Sequence, residues 1–63
     1  MNISPKELQV IKKVALGFSS KVIAEQLKIT RSTVDKHREN AMRKTNTRNA
    51  VELSNFYYNE LEK

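Results

Sequence analysis

A turn of about three residues between two segments with helical periodicity limits the folds that this chain can adopt. Apolar residues give segment 20–27 one broad face, and segment 31–45 follows directly after Lys28, Ile29 and Thr30. Thr30 is a suitable N-cap, because its hydroxyl can accept a hydrogen bond from a backbone N–H of the next turn. A connection this short makes the two helices cross steeply, so the core covers one face of the second helix and leaves the other projecting.

A further helix is predicted before this pair. Ser4 can cap it, Pro5 suits its first position, and Glu7 stands three residues after the cap, as in a capping box. Apolar residues then recur at intervals of three and four as far as Gly17, which favours the left-handed conformation that ends a helix. These signals predict a helix over residues 5–15.

The remaining boundaries each leave a choice of cap. Ser19 or Ser20 starts the helix before the short turn, and Asn46 or Thr47 opens a fourth helix, predicted over residues 48–60. That helix has too many apolar positions for one narrow stripe. They are Ala50, Val51, Leu53, Phe56, Tyr57, Tyr58 and Leu61.

The chain as a whole is predicted to be a single all-α domain over residues 1–63, a compact four-helix domain with a helix-turn-helix motif. With 63 residues and no cysteine, it has a small core and no disulfide to strengthen it. No apolar run approaches the roughly 18 residues that span a membrane, and no signal peptide is visible. We therefore expect no membrane partner and a cytoplasmic location.

Positive charge is concentrated in one part of the chain. The net charge is +5, and residues 31–48 carry six basic and two acidic side chains, whereas residues 49–63 are net negative. This balance suits a polyanionic partner such as nucleic acid, although a basic helix is as often only a solvated face. A projecting helix also fits the major groove of DNA, which is about 12 Å wide.

Residues 3–53 resemble the LuxR-type (GerE-like) helix-turn-helix domain of bacterial transcription regulators. The resemblance implies a four-helix fold with the second and third helices as the motif, and a fourth helix often used for dimerisation. The positions that carry it are Ser4, Glu7, Val10, Ile11, Ala15, Gly17, Ser19, Lys21, Ile23, Ala24, Leu27, Ile29, Thr30, Thr33, Val34, His37, Asn40, Lys44 and Glu52.

Several positions depart from the pattern of that family. Asp35 stands where a lysine is usual, at a position that commonly faces base edges. An acid there removes a phosphate attraction and offers an acceptor for the amino group of cytosine instead. The target sequence is therefore not transferable from relatives. The other departures are Lys6, Val22, Ala41, Thr45 and Thr47, of which the last three weaken the seam between helices 3 and 4.

The base-reading candidates lie on the exposed face of the third helix, in its N-terminal half, which enters the groove in helix-turn-helix proteins. Lys36 can donate to guanine O6 or N7, or remain solvated. Asp35 and Glu39 either contact bases or orient neighbouring cations through ion pairs on the helix surface. The predicted set is Ser32, Asp35, Lys36 and Glu39.

Phosphate contacts are expected at the edges of the motif, where free backbone N–H groups at helix starts favour anions and basic side chains flank the reading face. The candidates are Ser20, Lys21, Arg31, Thr33, Arg38, Arg43, Lys44 and Arg48. The family resemblance ranks Lys21, Thr33 and Lys44 highest. For Ser19 and Thr30, plain helix capping is favoured over DNA contact.

Nothing in the chain predicts an enzyme, a cofactor, a metal site or a small-molecule site. His37 is the lone histidine, and with no cysteine it lacks companions for a metal. The resemblance implies that His37 packs between helices, and that Glu7 ties the first helix to the motif. Asn40 bonds either a neighbouring backbone group or a phosphate.

The aromatic residues near the C-terminus leave two interpretations open. Tyr57 lies on the core stripe of the fourth helix, whereas Phe56 and Tyr58 either cover the edge of the first helix or form a dimer face. The predicted homodimer interface comprises Phe56, Tyr57, Tyr58 and Leu61. A dimer would present two recognition helices about one turn of DNA apart.

The favoured hypothesis is sequence-specific binding of double-stranded DNA by a bacterial transcription regulator, with helix 31–45 in the major groove. The alternative is a helical protein-interaction module that uses the aromatics of the fourth helix without reading DNA. Within DNA binding, a sigma-factor-like or transposase domain is the nearest rival. Met1 allows either a complete small regulator or the effector domain of a longer one.

Overall fold

A computed structural model describes residues 2–62, which form four α-helices and one π-helical turn. The elements, in chain order, are α1 (Pro5–Ala15), α2 (Ser20–Leu27), α3 (Arg31–Thr45), α4 (Ala50–Phe56) and the π turn (Tyr57–Leu61). No strand occurs within the described residues. The all-α prediction is confirmed, and the first three helices have the bounds that their caps indicated.

α1 begins with the predicted capping box. The Ser4 hydroxyl accepts a hydrogen bond from the Glu7 N–H at 3.1 Å, and the Glu7 carboxylate accepts one from the Ser4 N–H at 3.0 Å. The helix ends as expected, because Gly17 has a φ of +93°. A Cβ at Gly17 would meet nothing within 4 Å, so glycine is needed there for its backbone conformation and not for space.

The turn between α2 and α3 is as short as predicted. Ser19 caps α2 and Thr30 caps α3, each by accepting a hydrogen bond from the N–H three residues further on. Of the two possible caps of α2, Ser19 and Ser20, the structure therefore has Ser19. Lys28 ends α2 in the left-handed conformation, with a φ of 58°, which is unusual for a residue with a Cβ.

The start of α4 corrects the sequence-based expectation. Asn46 has a φ of 57° and ends α3, and the Thr47 N–H donates back to a carbonyl of the last turn of α3. Neither residue opens the next helix. Asn49 does so, by accepting a hydrogen bond from the Glu52 N–H at 2.9 Å. The helix therefore begins at Ala50, later than predicted, and the π turn carries it beyond its predicted end.

The core lies between α1 and the three other helices. Its fully buried aliphatic side chains are Val10, Ile11, Ile23, Val34 and Leu53. Each such side chain contributes about 1.5–3 kcal/mol by leaving water. Because every helix supplies at least one of them, no helix can detach without exposing part of the core.

The seam between α3 and α4 uses hydrogen bonds where the family usually has large aliphatic side chains. Thr45 is buried, and its hydroxyl donates to the Ala41 carbonyl at 2.9 Å. The Thr47 hydroxyl lies 2.9 Å from the Thr45 hydroxyl and can donate to it. These bonds satisfy the hydroxyl groups that Thr45 and Thr47 bring into the seam in place of aliphatic side chains.

Two contacts join the ends of α1 to later parts of the chain. Lys44, near the end of α3, pairs with Glu7 at the start of α1. The Tyr58 hydroxyl, in the π turn, donates to the carbonyl of Ala15, the last residue of α1, at 3.1 Å. Both ends of α1 are therefore held by side chains that follow it in sequence.

Candidate nucleic-acid interface

α3 buries one side and presents the opposite side to solvent. Val34 and Ala41 are fully buried and define the inner side of the helix. At 3.6 residues per turn, Ser32, Lys36 and Glu39 lie close to the opposite side. All three are exposed, so the structure gives the domain one projecting helical face.

The four base-reading candidates are all exposed, but they do not share one line along α3. Asp35 follows the buried Val34 by one residue, which places it about 100° round the helix. Arg38 lies on that same flank and bonds to α2. Asp35 therefore borders α2, whereas Lys36 and Glu39 occupy the middle of the projecting face.

The acids of this face have no cation partner among residues 2–62, where the one ion pair joins Lys44 and Glu7. Asp35 and Glu39 therefore do not form the ion pairs with neighbouring cations that were one of the two predicted alternatives. Arg43, which stands four residues after Glu39, instead donates to the Asn40 side-chain oxygen at 2.9 Å. The projecting face thus carries unneutralised charges of both signs.

A shallow concavity lies on the flank of α3 away from α2. Two of its residues, His37 and Asn40, lie outside the sets predicted from the sequence to read bases or contact phosphate. Both are half-buried. The residues lining the concavity are Ser32, Thr33, Lys36, His37 and Asn40. These residues recur at intervals of one, three and four, which places them on one side of a helix, and this pattern in the sequence identifies the flank.

The residues expected to contact phosphate fall into two groups. Five are exposed and make no side-chain hydrogen bond to another helix within residues 2–62: Lys21, Arg31, Thr33, Arg43 and Arg48. The other three form contacts within the fold that the sequence did not indicate. They are Ser20, Arg38 and Lys44.

Ser20 and Arg38 bind each other across the motif. Ser20 is buried, and its hydroxyl accepts a hydrogen bond from an Arg38 guanidinium nitrogen at 2.8 Å. The bond joins the first turn of α2 to the middle of α3. The buried hydroxyl is therefore occupied inside the protein, while the rest of the half-buried guanidinium retains free donors.

Lys44 lies on the α1 side of α3. Its ammonium is 2.7 Å from the Glu7 carboxylate, and about a third of the Lys44 side chain is exposed. The hydrogen bond from Lys44, followed by that from the Ser4 N–H, lowers the pKa of the Glu7 carboxyl, against the opposing effect of burial. This geometry agrees with the expected role of Glu7 in tying α1 to the motif.

The N-terminal turn of α3 holds two hydroxyls close together. The Thr33 hydroxyl lies 2.8 Å from that of Thr30, which also accepts the Thr33 N–H at 3.2 Å. Thr30 therefore acts as the cap, as predicted. Both residues are exposed, so the Thr33 hydroxyl remains accessible from solvent.

The C-terminal aromatic residues divide between core and surface. Tyr57 is buried, with 8% of its surface exposed, and Leu61 packs against the core. Burial raises the pKa of the Tyr57 phenol, and the charge of Glu62 adds to that effect. Phe56 is half-buried, while Tyr58 is half-exposed and reaches the edge of α1 through its hydroxyl.

Residues 2–62 contain no group of three or more side chains that could hold a metal ion. None of the helices within that range is long and apolar enough to cross a membrane.

Comparison with known proteins identifies the family. The model of the luxR family of bacterial regulatory proteins matches residues 1–57. The chain belongs to this family. Its helix-turn-helix consists of α2 and α3, and the LuxR-family domain is a DNA-binding module of transcription regulators and not an enzyme.

The relatives include bacterial response regulators. The nitrate/nitrite response regulator NarL of Escherichia coli strain K12 is 33% identical over 58 residues, which are 92% of this chain and 27% of that protein. The oxygen regulatory protein NreC of Staphylococcus carnosus is 33% identical over 54 residues, 86% of this chain and 25% of that protein. The fimbriae Z protein of Salmonella typhimurium is 36% identical over 56 residues, 89% of this chain and 27% of that protein.

The chain thus spans about a quarter of the length of these relatives. No solved structure gives a significant match to it.

Proposed function

We propose that this LuxR-family domain binds double-stranded DNA sequence-specifically, with the projecting face of α3 in the major groove. The observation that carries the proposal is the one-sided burial of α3, which leaves Ser32, Lys36 and Glu39 exposed opposite the core. A helix held in this way can enter the groove with its N-terminal half against base edges. Regulation of bacterial transcription from the cytoplasm follows as part of the same proposal.

Within that interface, we assign base reading to the exposed polar side chains. Lys36 donates to guanine O6 or N7 from the middle of the face, and Ser32 lies one turn before it. Glu39 and Asp35 accept from amino groups of bases, chiefly from cytosine, since neither acid is neutralised by a cation within residues 2–62.

Phosphate binding is assigned to the exposed residues around this face. Lys21 and Thr33 lie in the first turns of α2 and α3, where backbone N–H groups and the helix dipole favour anions. Arg31, Arg43 and Arg48 are also exposed. Their cations would attract the backbone of the duplex on either side of the bases.

Ser20, Arg38 and Lys44, which form hydrogen bonds between helices, have a more indirect part in this proposal. Ser20 orients the Arg38 guanidinium, whose remaining N–H groups are directed to phosphate. Lys44 serves first as the partner of Glu7, and its partial exposure allows a phosphate to approach the same ammonium. Both cations are thus held in place before DNA binds, which reduces the entropy lost on binding.

Homodimerisation is proposed through α4, on a narrower surface than the four residues expected from the sequence. Tyr57 and Leu61 belong to the core, so the proposed surface consists of Val51 on α4, which is 70% exposed, and Tyr58 in the following π turn, which is 49% exposed. Half-buried Phe56 lies at its margin. A symmetric dimer would place two copies of α3 about 34 Å apart along DNA.

Fluorescence anisotropy with labelled promoter fragments tests the proposal. The domain should bind a subset of fragments far more tightly than scrambled duplexes, and log K should fall with log salt by about 0.9 per phosphate contacted. Equal affinity for every duplex would exclude sequence-specific reading. Affinity that is independent of salt would exclude DNA binding through these cations.

The second candidate function is a protein-interaction module, favoured by the exposed Val51 on α4 and the exposed Tyr58 in the π turn. Analytical sedimentation with and without DNA separates the two. A module of that kind would self-associate or bind a protein partner while leaving the sedimentation of the duplex unchanged.

A further inference from the structure

We propose that the groove between the outer side of α1 and the end of α2 binds an acidic, apolar segment of a partner protein. This surface, called the α1–α2 groove, shares no lining residue with the proposed DNA and dimer surfaces. The side chains that line it are Gln9, Lys12, Lys13, Leu16 and Leu27.

The floor and edge of the α1–α2 groove are apolar. Leu16 is 57% exposed at the end of α1, and Phe18, two residues later, is 37% exposed. Leu27 is half-buried at the end of α2. Large apolar side chains gathered at one exposed site mark a place of contact with another molecule, because leaving them in water is unfavourable.

The rim of the α1–α2 groove is basic. Lys12 and Lys13 line it, and the Lys13 ammonium lies 5.8 Å from the centre of the Phe18 ring. Neither lysine has an acidic partner within residues 2–62, and no acid lines the groove. A segment that combines carboxylates with apolar side chains would complement both features, in the manner of an amphipathic helix in a groove.

The α1–α2 groove stays accessible when α3 is on DNA. Val10 and Ile11 bury the inner side of α1, and the α1 residues of the groove lie on the opposite side of that helix. α3 buries Val34 against the same core. No residue of α3, and no residue assigned to DNA contact, lines the groove. We therefore expect a partner protein and a DNA duplex to bind at the same time.

A selection with displayed random peptides of about 12 residues against the 63-residue chain tests this proposal. Enriched peptides should combine Asp or Glu with Leu, Ile or Phe. Their affinity should fall about tenfold with Leu16→Ser and again with the double change Lys12→Gln and Lys13→Gln. Circular dichroism melting confirms that each variant is folded.

Matched controls lie on the same helix. Leu8→Ser and Lys6→Gln change exposed residues of the same types that do not line the groove, and each should leave peptide affinity unchanged. DNA affinity, measured with the same variants, should also be unchanged by Leu16→Ser. If the wild-type chain binds no DNA, the proposed function is wrong, but the peptide measurements still test the α1–α2 groove.

Four outcomes would overturn the α1–α2 groove as a protein-docking surface. The first is that no peptide is enriched, or that the enriched peptides lack acids. The second is equal binding to the groove variants and the controls. The third is that the Leu16→Ser variant loses binding to anionic lipid vesicles or to a DNA duplex that the wild-type chain binds. The fourth is a change in sedimentation of the free protein with Leu16→Ser, which would make a second copy the occupant.

Discussion

The ammonium of Lys44 lies 2.7 Å from the carboxylate of Glu7, joining the end of α3 to the first turn of α1. The same carboxylate oxygen accepts the Ser4 N–H at 3.0 Å. One acidic side chain thus completes the cap of α1 and holds the helix that we propose reads DNA. The hydrogen bond from Lys44 is the main reason that the pKa of Glu7 is lowered.

Replacing Glu7 with Gln is expected to lower the free energy of unfolding at pH 7 by about 1–2 kcal/mol. Gln can keep the capping box but loses the charge-assisted bond to Lys44, which is partly exposed and therefore screened. Because the folded pKa is lowered, the contribution of Glu7 is present above the ordinary value of 4.5 and is lost as pH falls through the folded value. Urea unfolding across this range should show the two proteins converging in acid.

The control for this prediction is Glu25→Gln, the same change at an exposed position of α2. It should alter stability by less than about 0.5 kcal/mol. Equal losses for the two variants, or a difference that persists unchanged at acid pH, would contradict the role assigned to the pair.

Lys28→Gly is expected to stabilise the domain by about 0.5–1 kcal/mol. Lys28 has a φ of 58°, where a Cβ is crowded and glycine is not, and its side chain is exposed. Gln26→Gly, an exposed site inside α2, should instead destabilise by about 1 kcal/mol. Thermal melting of both variants checks the prediction, and a loss of stability in the first would show that Lys28 makes a contact worth more than the strain.

Lys36→Ala and Lys21→Ala are expected to affect DNA binding in different ways. Loss of Lys36 should relax the preference for guanine at one position, a difference of about 1–3 kcal/mol between the best and the wrong base pair. Loss of Lys21 should weaken all sequences alike and reduce the salt slope by about one. Binding to a randomised duplex library measures both, and an unchanged preference in Lys36→Ala would place base reading elsewhere on α3.

Val51→Ser is expected to leave folding and single-site binding unchanged, because the side chain is 70% exposed. It should reduce affinity for DNA with two half-sites about tenfold or more, since the dimer contact on α4 is lost. Leu16→Ser, the same kind of change on the outer side of α1, should have no effect on either duplex. Equal losses for the two variants would exclude α4 as the dimer surface.

The first three helices could be placed from the sequence because their boundaries depend on contacts over three or four residues. Ser4, Ser19 and Thr30 each bond the N–H three positions ahead, and that spacing is visible in the chain. The predicted start of α4 was wrong, because Asn46 and Thr47 were the expected caps whereas Asn49 is the cap. The choice depends on how far α3 extends along the core, which no short stretch of sequence contains.

The free face of α3 could be predicted from the chain alone, because Val34 and Ala41 mark the buried side and helical periodicity places Lys36 opposite. The contacts that Lys44 and Arg38 make within the protein could not. Lys44 meets Glu7 across 37 residues, and Arg38 meets Ser20 across 18. Such pairs depend on how whole helices dock, and docking is decided by the burial of apolar side chains from several helices at once.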